Sequence, residues 1–129
     1  MSKAKGSRTE RELLHLFWEN KWLATRMAGS GVMPFPCPDL LVGKKGRVLA
    51  IECKSGKNTR YMTKQQFNEL IDFAKGFGAE PWIAIRFNNM NWYFLKPKYL
   101  ESSGKNYSIS KELTLSKGII FNEIIKNTS

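Results

Sequence analysis

Two carboxylates and an ammonium stand near one another in the first half of this chain. Asp39 follows Pro38, and Glu52 and Lys54 lie in the run Ile51-Glu52-Cys53-Lys54. At the end of an apolar strand such charges are costly unless they pair or bind something. Two close carboxylates repel each other, and a hard divalent cation such as Mg²⁺ relieves that repulsion while keeping several of its waters. A lysine alongside can orient or deprotonate water, or hold charge developing on a phosphate. An E-x-K fragment alone is also what a Lys–Glu pair at a strand end looks like, with Asp39 merely opening a strand after proline. P-D at hairpin distance from E-x-K shifts the balance to metal-dependent phosphodiester chemistry.

The elements that must position these groups are short. Leu40 to Val42 and Val48 to Ile51 are apolar and partly β-branched, and Gly43-Lys44-Lys45-Gly46 between them is a strong turn signal, so the pair reads as an antiparallel hairpin. With those four residues as the turn, Val42 faces Arg47 and Asp39 faces Ala50. Residues directly opposite share a face, as do residues two apart. Asp39, Glu52 and Lys54 then project on one side, with Asp39 and Glu52 as diagonal neighbours, provided no bulge breaks the register. Cys53 points the other way and reads as a small core residue rather than a nucleophile.

Upstream, a helix capped by Ser7 or Thr9 is expected to run to about Asn20, with Leu13, Leu14, Leu16 and Phe17 as its apolar face. At about 100° per residue Glu10 falls beside Leu14 and Phe17, on the buried side. It is either a further ligand or water positioner, or a first-turn glutamate near the positive end of the helix dipole. Trp22 to Met27 reads as a short strand. Residues 28–36 read as a loop feeding into Asp39, in which Ser30 either touches a phosphate or attacking water or is a turn serine. After Lys54, Ser55 to Arg60 reads as a polar, basic loop. Thr63 caps a helix to about Phe77, ended by Gly76 and Gly78 and cored by Phe67, Leu70, Ile71 and Ala74. Phe73 and Phe77, four apart on the flank of that stripe, suggest a second apolar contact or a wide core face. Pro81 to Phe87 and Asn91 to Leu95 read as a second hairpin. Leu113 to Leu115 reads as a brief strand, and a closing helix capped by Ser116 carries Ile120, Phe121, Ile124 and Ile125.

The 129 residues suffice for one domain. With 4 Trp and 8 Phe the chain is not generally disordered. No apolar run has membrane length and the N-terminus is polar, so a cytoplasmic protein is expected. Two cysteines without a Cys-x-x-Cys, and a lone His15, disfavour zinc. A formal net charge of +10 favours a polyanion partner, nucleic acid above all, over a merely solvated lysine-rich surface. Lys3, Lys5, Arg8, Arg11, Arg26, Lys57 and Arg60 lie in segments flanking the proposed site. Residues 1–6 read as a basic, mobile arm on a single domain spanning 1–129.

Several motifs occur in a fixed order: G-S-R-T-E-R-E-L from Gly6, R-M-A-G-S-G from Arg26, P-D-L-L-V from Pro38, I-E-C-K from Ile51, and I-D-F-A-K-G-F-G from Ile71. On these the chain resembles an archaeal-type Holliday junction resolvase of the restriction-endonuclease-like superfamily, over most of residues 6–96. The resemblance implies a homodimer that binds four-way DNA junctions and cuts two opposed strands with Mg²⁺. It maps the acids onto Glu10, Asp39 and Glu52, the lysine onto Lys54, the loop serine onto Ser30, and arginines used in junction binding or cleavage onto Arg11 and Arg26. The V-M-P-F-P-C run after Gly31 departs from shorter members of the family. The resemblance also points to the helix end carrying Phe73 and Phe77 as the dimer contact.

The resulting expectation is a single α/β domain with a mixed, mostly antiparallel central sheet flanked by helices, acting as a Mg²⁺-dependent endodeoxyribonuclease on DNA four-way junctions. Asp39, Glu52 and the Cys53 carbonyl hold the metal, Lys54 stabilises charge, and Glu10 anchors a second metal or its water shell. The rivals are a same-fold nuclease for another branched or duplex DNA, and a non-catalytic DNA-binding module.

Overall fold

The computed structural model describes residues 2–27 and 34–126, with side chains from Arg8 onward. The first helix, α1, spans Ser2–Glu19, so it begins before the Ser7 or Thr9 cap expected and takes in residues 2–6. Its Leu13 and Phe17 are fully buried. Strand β1 (Leu23–Arg26) follows, then β2 (Leu40–Lys44) and β3 (Arg47–Gly56).

The β2–β3 hairpin turns on two residues, Lys45 and Gly46, both at positive φ (49° and 85°), as a tight right-twisting hairpin requires. Leu40 faces Ile51, Val42 faces Leu49 and Lys44 faces Arg47. The register is therefore two residues from the expected one, in which Val42 faced Arg47. Because side chains alternate with period two, an even shift leaves every face assignment intact. The change brings Asp39 and Glu52, the next positions beyond Leu40 and Ile51, from diagonal to opposing places.

Helix α2 (Lys64–Phe77) is built as its sequence indicates. Thr63 accepts a hydrogen bond from the Gln66 amide at 3.0 Å, the Gln66 side chain accepts from the Thr63 amide, and Gly78 closes the helix at φ 84°. Strand β5 (Glu80–Phe87) runs parallel to β3, with Glu52 beside Ile83 and Lys54 beside Ile85. Strand β6 (Tyr93–Leu95) pairs antiparallel with β5, completing the expected second hairpin.

The segment from Ser55 onward is more regular than a polar loop. β3 runs on to Gly56, and β4 (Arg60–Thr63) joins a small second sheet with β7 (Glu101–Ser103) and β8 (Asn106–Ile109), in the order β4-β8-β7. Leu113 to Leu115, expected as a strand, lies in helix α3 (Lys111–Lys117). The Ser110 hydroxyl caps α3 by accepting from the Leu113 amide at 3.0 Å. Leu113 is buried and Leu115 exposed, so the apparent alternation of leucines is one core contact plus a solvent position. Ser116 is inside α3 rather than a cap, and Ile120 belongs to β9 (Ile119–Ile120), ahead of the short α4 (Phe121–Ile124).

The main sheet has the order β1-β2-β3-β5-β6-β9, with only β3 and β5 parallel. This is the mixed, mostly antiparallel α/β sheet expected. Alternate residues of β3 and β5 feed two cores. Leu49, Ile51, Trp82 and Ala84 pack with Leu13, Phe17 and Phe121 on the α1 and α4 side. Ala50, Ile83 and Ile85 pack with Leu70, Ala74 and Leu113 on the α2 and α3 side. Covering both faces explains why these strands read as nearly unbroken apolar runs. No helix among the described residues is long and apolar enough to cross a membrane.

Candidate active site

The site forms where β3 outruns its partner. β2 begins at Leu40, so β3 beyond Ile51 is paired on the β5 side and open on the other. The Cys53 amide, on that open edge, donates to Asp39 Oδ2 at 2.8 Å. In a strand the N–H and C=O of one residue point to the same edge, so the Cys53 carbonyl faces the Asp39 side as well. Its side chain packs against the α1-side core, the small core role expected. Both cysteines are free thiols, and burial pushes the Cys53 thiol well above its usual range.

Glu52 and Lys54 share the face of Ala50, which packs toward α2. Asp39 joins them from the start of β2. Burial raises the Asp39 carboxyl to about 6; the Cys53 amide opposes that rise, nearby Glu10 adds to it, and Lys54 and Arg26 counter it. Burial raises Glu52 further, to about 8, with the Asp39 charge the next contribution and Lys54 opposing. The two acids are a mutually repelling, half-buried pair. Glu69 on α2 adds a smaller push on Glu52; sequence reading missed it, since a surface acid in a helix carries no such signal.

Glu10 approaches over the end of the sheet from α1. Its carboxylate accepts a hydrogen bond from Arg26 Nε at 2.8 Å, and both side chains are about three-quarters buried (20% and 26% exposed). Arg26, expected among the DNA-binding residues, therefore also orients an acid of the site. The Thr9 and Ser55 hydroxyls bond at 3.2 Å, tying α1 to the end of β3. Alongside, Glu12 accepts from Trp92 Nε1 at 3.2 Å and pairs with Arg86 at 3.3 Å. None of these ties had a local sequence signal.

Among the described residues no three His, Cys, Asp or Glu side chains gather closely enough to hold a metal by themselves. The donor set instead comprises two facing carboxylates and an open-edge carbonyl. That suits an ion such as Mg²⁺, which retains several waters and takes only one or two carboxylates. The raised pKa values point the same way: Lys54 and Arg26 offset the burial and mutual repulsion of the carboxylate pair only in part.

Of the other expected residues, Arg8, Arg11, Lys57 and Arg60 are exposed. Arg60 folds back over Gly56, where an added Cβ would lie 3.2 Å from its side chain. Ser30 and the side chains of Lys3 and Lys5 lie outside the described residues. Phe73 packs against the α2-side core, whereas Phe77 is 56% exposed; their rings stack 5.3 Å apart at 14°.

A sequence model of the family described as archaeal Holliday junction resolvase (Hjc) matches residues 1–129. The crossover junction endodeoxyribonuclease Hjc of Archaeoglobus fulgidus is 41% identical over 112 residues, covering 86% of this chain and 82% of that protein. Its namesake from Methanocaldococcus jannaschii is 40% identical over 111 residues, covering 84% and 78%. The solved structure of Archaeoglobus fulgidus Hjc, a Holliday junction resolvase from an archaeal hyperthermophile, superposes with a TM-score of 0.84 at 36% identity, covering 92% of this chain and 98% of the other.

Proposed function

This chain belongs to the archaeal Holliday junction resolvase family, and from that premise we propose that it is a crossover junction endodeoxyribonuclease whose site is built on Asp39, Glu52 and Lys54. The observation that carries the site assignment is the facing pair of half-buried acids at the end of β3, both with raised pKa. Mg²⁺ is the cofactor that fits, held by Asp39, Glu52 and the Cys53 carbonyl. When bound, the ion supplies positive charge at the scissile phosphate and the acidification of water that hydrolysis at neutral pH needs.

The chain's own groups do the rest. The Cys53 amide fixes the Asp39 carboxylate, leaving its second oxygen to face the site. Lys54, two residues from Glu52 on the same face, places an ammonium where charge builds on the phosphoryl oxygens. Glu10, fixed by Arg26, accepts a proton or hydrogen bond from water at the rim. Ser30 is retained as a candidate phosphate or water contact. Lys3, Lys5, Arg8, Arg11, Arg26, Lys57 and Arg60 supply phosphate contacts, which position DNA without reading its sequence. A junction has two strands to cut and this chain has one site, so a two-fold homodimer through Phe73 and Phe77 supplies the second.

The deciding experiment is cleavage of a labelled synthetic four-way junction with and without Mg²⁺, beside a linear duplex of one arm. Paired symmetric cuts in the junction alone are expected. Equal cutting of the duplex would point to a same-fold nuclease of broader substrate range, and no cutting with binding intact would point to a non-catalytic module.

A further inference from the structure

We propose that Phe35 reads the branch point, its ring stacking on a base left without a neighbour where the arms of the junction part. This inference rests on the functional reading above and adds to it the contact that separates branched from linear DNA.

Phe35 is 73% exposed, more than any other large hydrophobic side chain among the described residues. It belongs to neither core cluster. Two other exposed aromatics have local ties: the Trp18 indole donates to the Ala24 carbonyl at 3.0 Å, and Phe77 stacks on Phe73. An apolar ring held in water this way, four residues before Asp39 in the chain, offers its face to a ligand with an apolar surface.

The backbone presents the ring in a fixed way. Pro34, Pro36 and Pro38 alternate with Phe35 and Cys37 up to Asp39. Each proline locks its own φ and pushes the residue before it toward extended geometry. The segment therefore has little freedom left to lose when a ligand binds. Without an N–H at every second position it cannot add a strand to the sheet, so the ring stays available. At its inner end Pro38 is buried, and the Asp39 carbonyl accepts from the Met27 amide at 2.9 Å. Cys37, only partly exposed, lies two residues from Phe35 and two from Asp39. The phenyl ring is thus carried at a bend of the chain, four residues ahead of Asp39, on a proline-restricted segment.

A base is the partner that fits. The chain carries a formal net charge of +10, and Arg8, Arg11, Lys57 and Arg60 are exposed, which favours a polyanion backbone as the partner. Every base has a π-face, so an aromatic platform accepts any of them. A continuous duplex keeps those faces covered, and a branch point uncovers them. Stacking at Phe35 therefore gives structure selectivity without sequence selectivity.

The test uses the full chain without divalent cations, so that binding is read apart from cleavage. Junctions carry 2-aminopurine either at the branch point or deep in an arm, and affinity is measured in parallel for junction and linear duplex. Wild-type protein should change the branch-point fluorescence and leave the arm probe unchanged. Phe35→Ala should abolish that change and weaken junction binding about tenfold, with duplex binding unaltered, while Phe35→Trp should retain both. A Phe35→Ala protein that keeps junction preference and the branch-point signal overturns this inference alone. Equal losses on junction and duplex, or an altered sedimentation coefficient for Phe35→Ala, overturn it too, by assigning the ring to a general or a protein contact. Wild-type protein without junction preference overturns the functional reading together with this inference.

Discussion

Glu52→Gln should inactivate the enzyme and, without metal, stabilise it at alkaline pH. In the folded protein Glu52 titrates near 8, against an ordinary value of 4.5, because burial and the facing Asp39 disfavour its charge. A raised folded pKa means that the native state holds its proton more tightly than the unfolded chain. The associated stability is complete below about 4.5 and is lost as pH rises through about 8. At about 1.4 kcal/mol per pH unit that interval amounts to about 5 kcal/mol. Part is shared with Asp39 and part is screened by Lys54 and entering water, so about 2 kcal/mol is a reasonable net figure. Glutamine mimics the protonated acid at every pH. In a domain of this size the difference should appear as a Tm about 8 °C higher for Glu52→Gln at pH 9, shrinking toward zero at pH 5. Thermal denaturation at fixed protein concentration, in buffers free of divalent ions, reads this directly. Millimolar Mg²⁺ at pH 8 should then raise the wild-type Tm and leave the variant nearly unmoved. Parallel curves for the two proteins from pH 5 to 9 would refute the burial argument, and junction cleavage by Glu52→Gln within a few-fold of wild type would refute the site.

Three further outcomes are expected. Phe73→Ala/Phe77→Ala should shift the protein toward monomer in sedimentation and uncouple the two cuts, Phe77 being exposed while loss of Phe73 from the α2-side core costs some stability; paired cutting by the double variant would remove this interface. Lys57→Ala/Arg60→Ala should make the slope of log K against log salt shallower by about 0.9 per lost phosphate contact; an unchanged slope would place those charges in solvent only. Thr63→Ala removes the hydroxyl of the α2 capping box and should cost about 1 kcal/mol in urea denaturation without altering the cleavage pattern, whereas a loss of cleavage at full stability would give that end of α2 a role in the site.

Much of the site was legible in the chain because its logic is local. P-D and E-x-K are separated by a tight turn, and strand alternation alone puts Asp39, Glu52 and Lys54 on one face. That conclusion survived a two-residue error in register because the error was even. Helix α2 was readable for a similar reason: Thr63, Gln66 and Gly78 close its ends with bonds spanning a few residues. Where the signal was not local, sequence reading faltered. The polar residues of β7 pair with β8, and β8 pairs with β4 far back in the chain, and no periodicity in a polar strand announces its partner. Leu113 and Leu115 mimic a strand until the Ser110 cap and the packing of one leucine but not the other are known.

What only the tertiary structure decides is the chemistry's setting. Glu10 reads in sequence as a ligand or a helix-end acid; that its partner is Arg26, sixteen residues on, only the fold decides. The open edge of β3, which aims the Cys53 amide at Asp39, exists because β2 begins two residues too late to cover it. The raised pKa values of Asp39 and Glu52 come mainly from burial, which packing of elements distant in sequence creates. Residue types and spacing determined which groups could meet; desolvation and the electrostatic company they keep, which set how those groups behave, are properties of packed volume and had no counterpart in the linear chain.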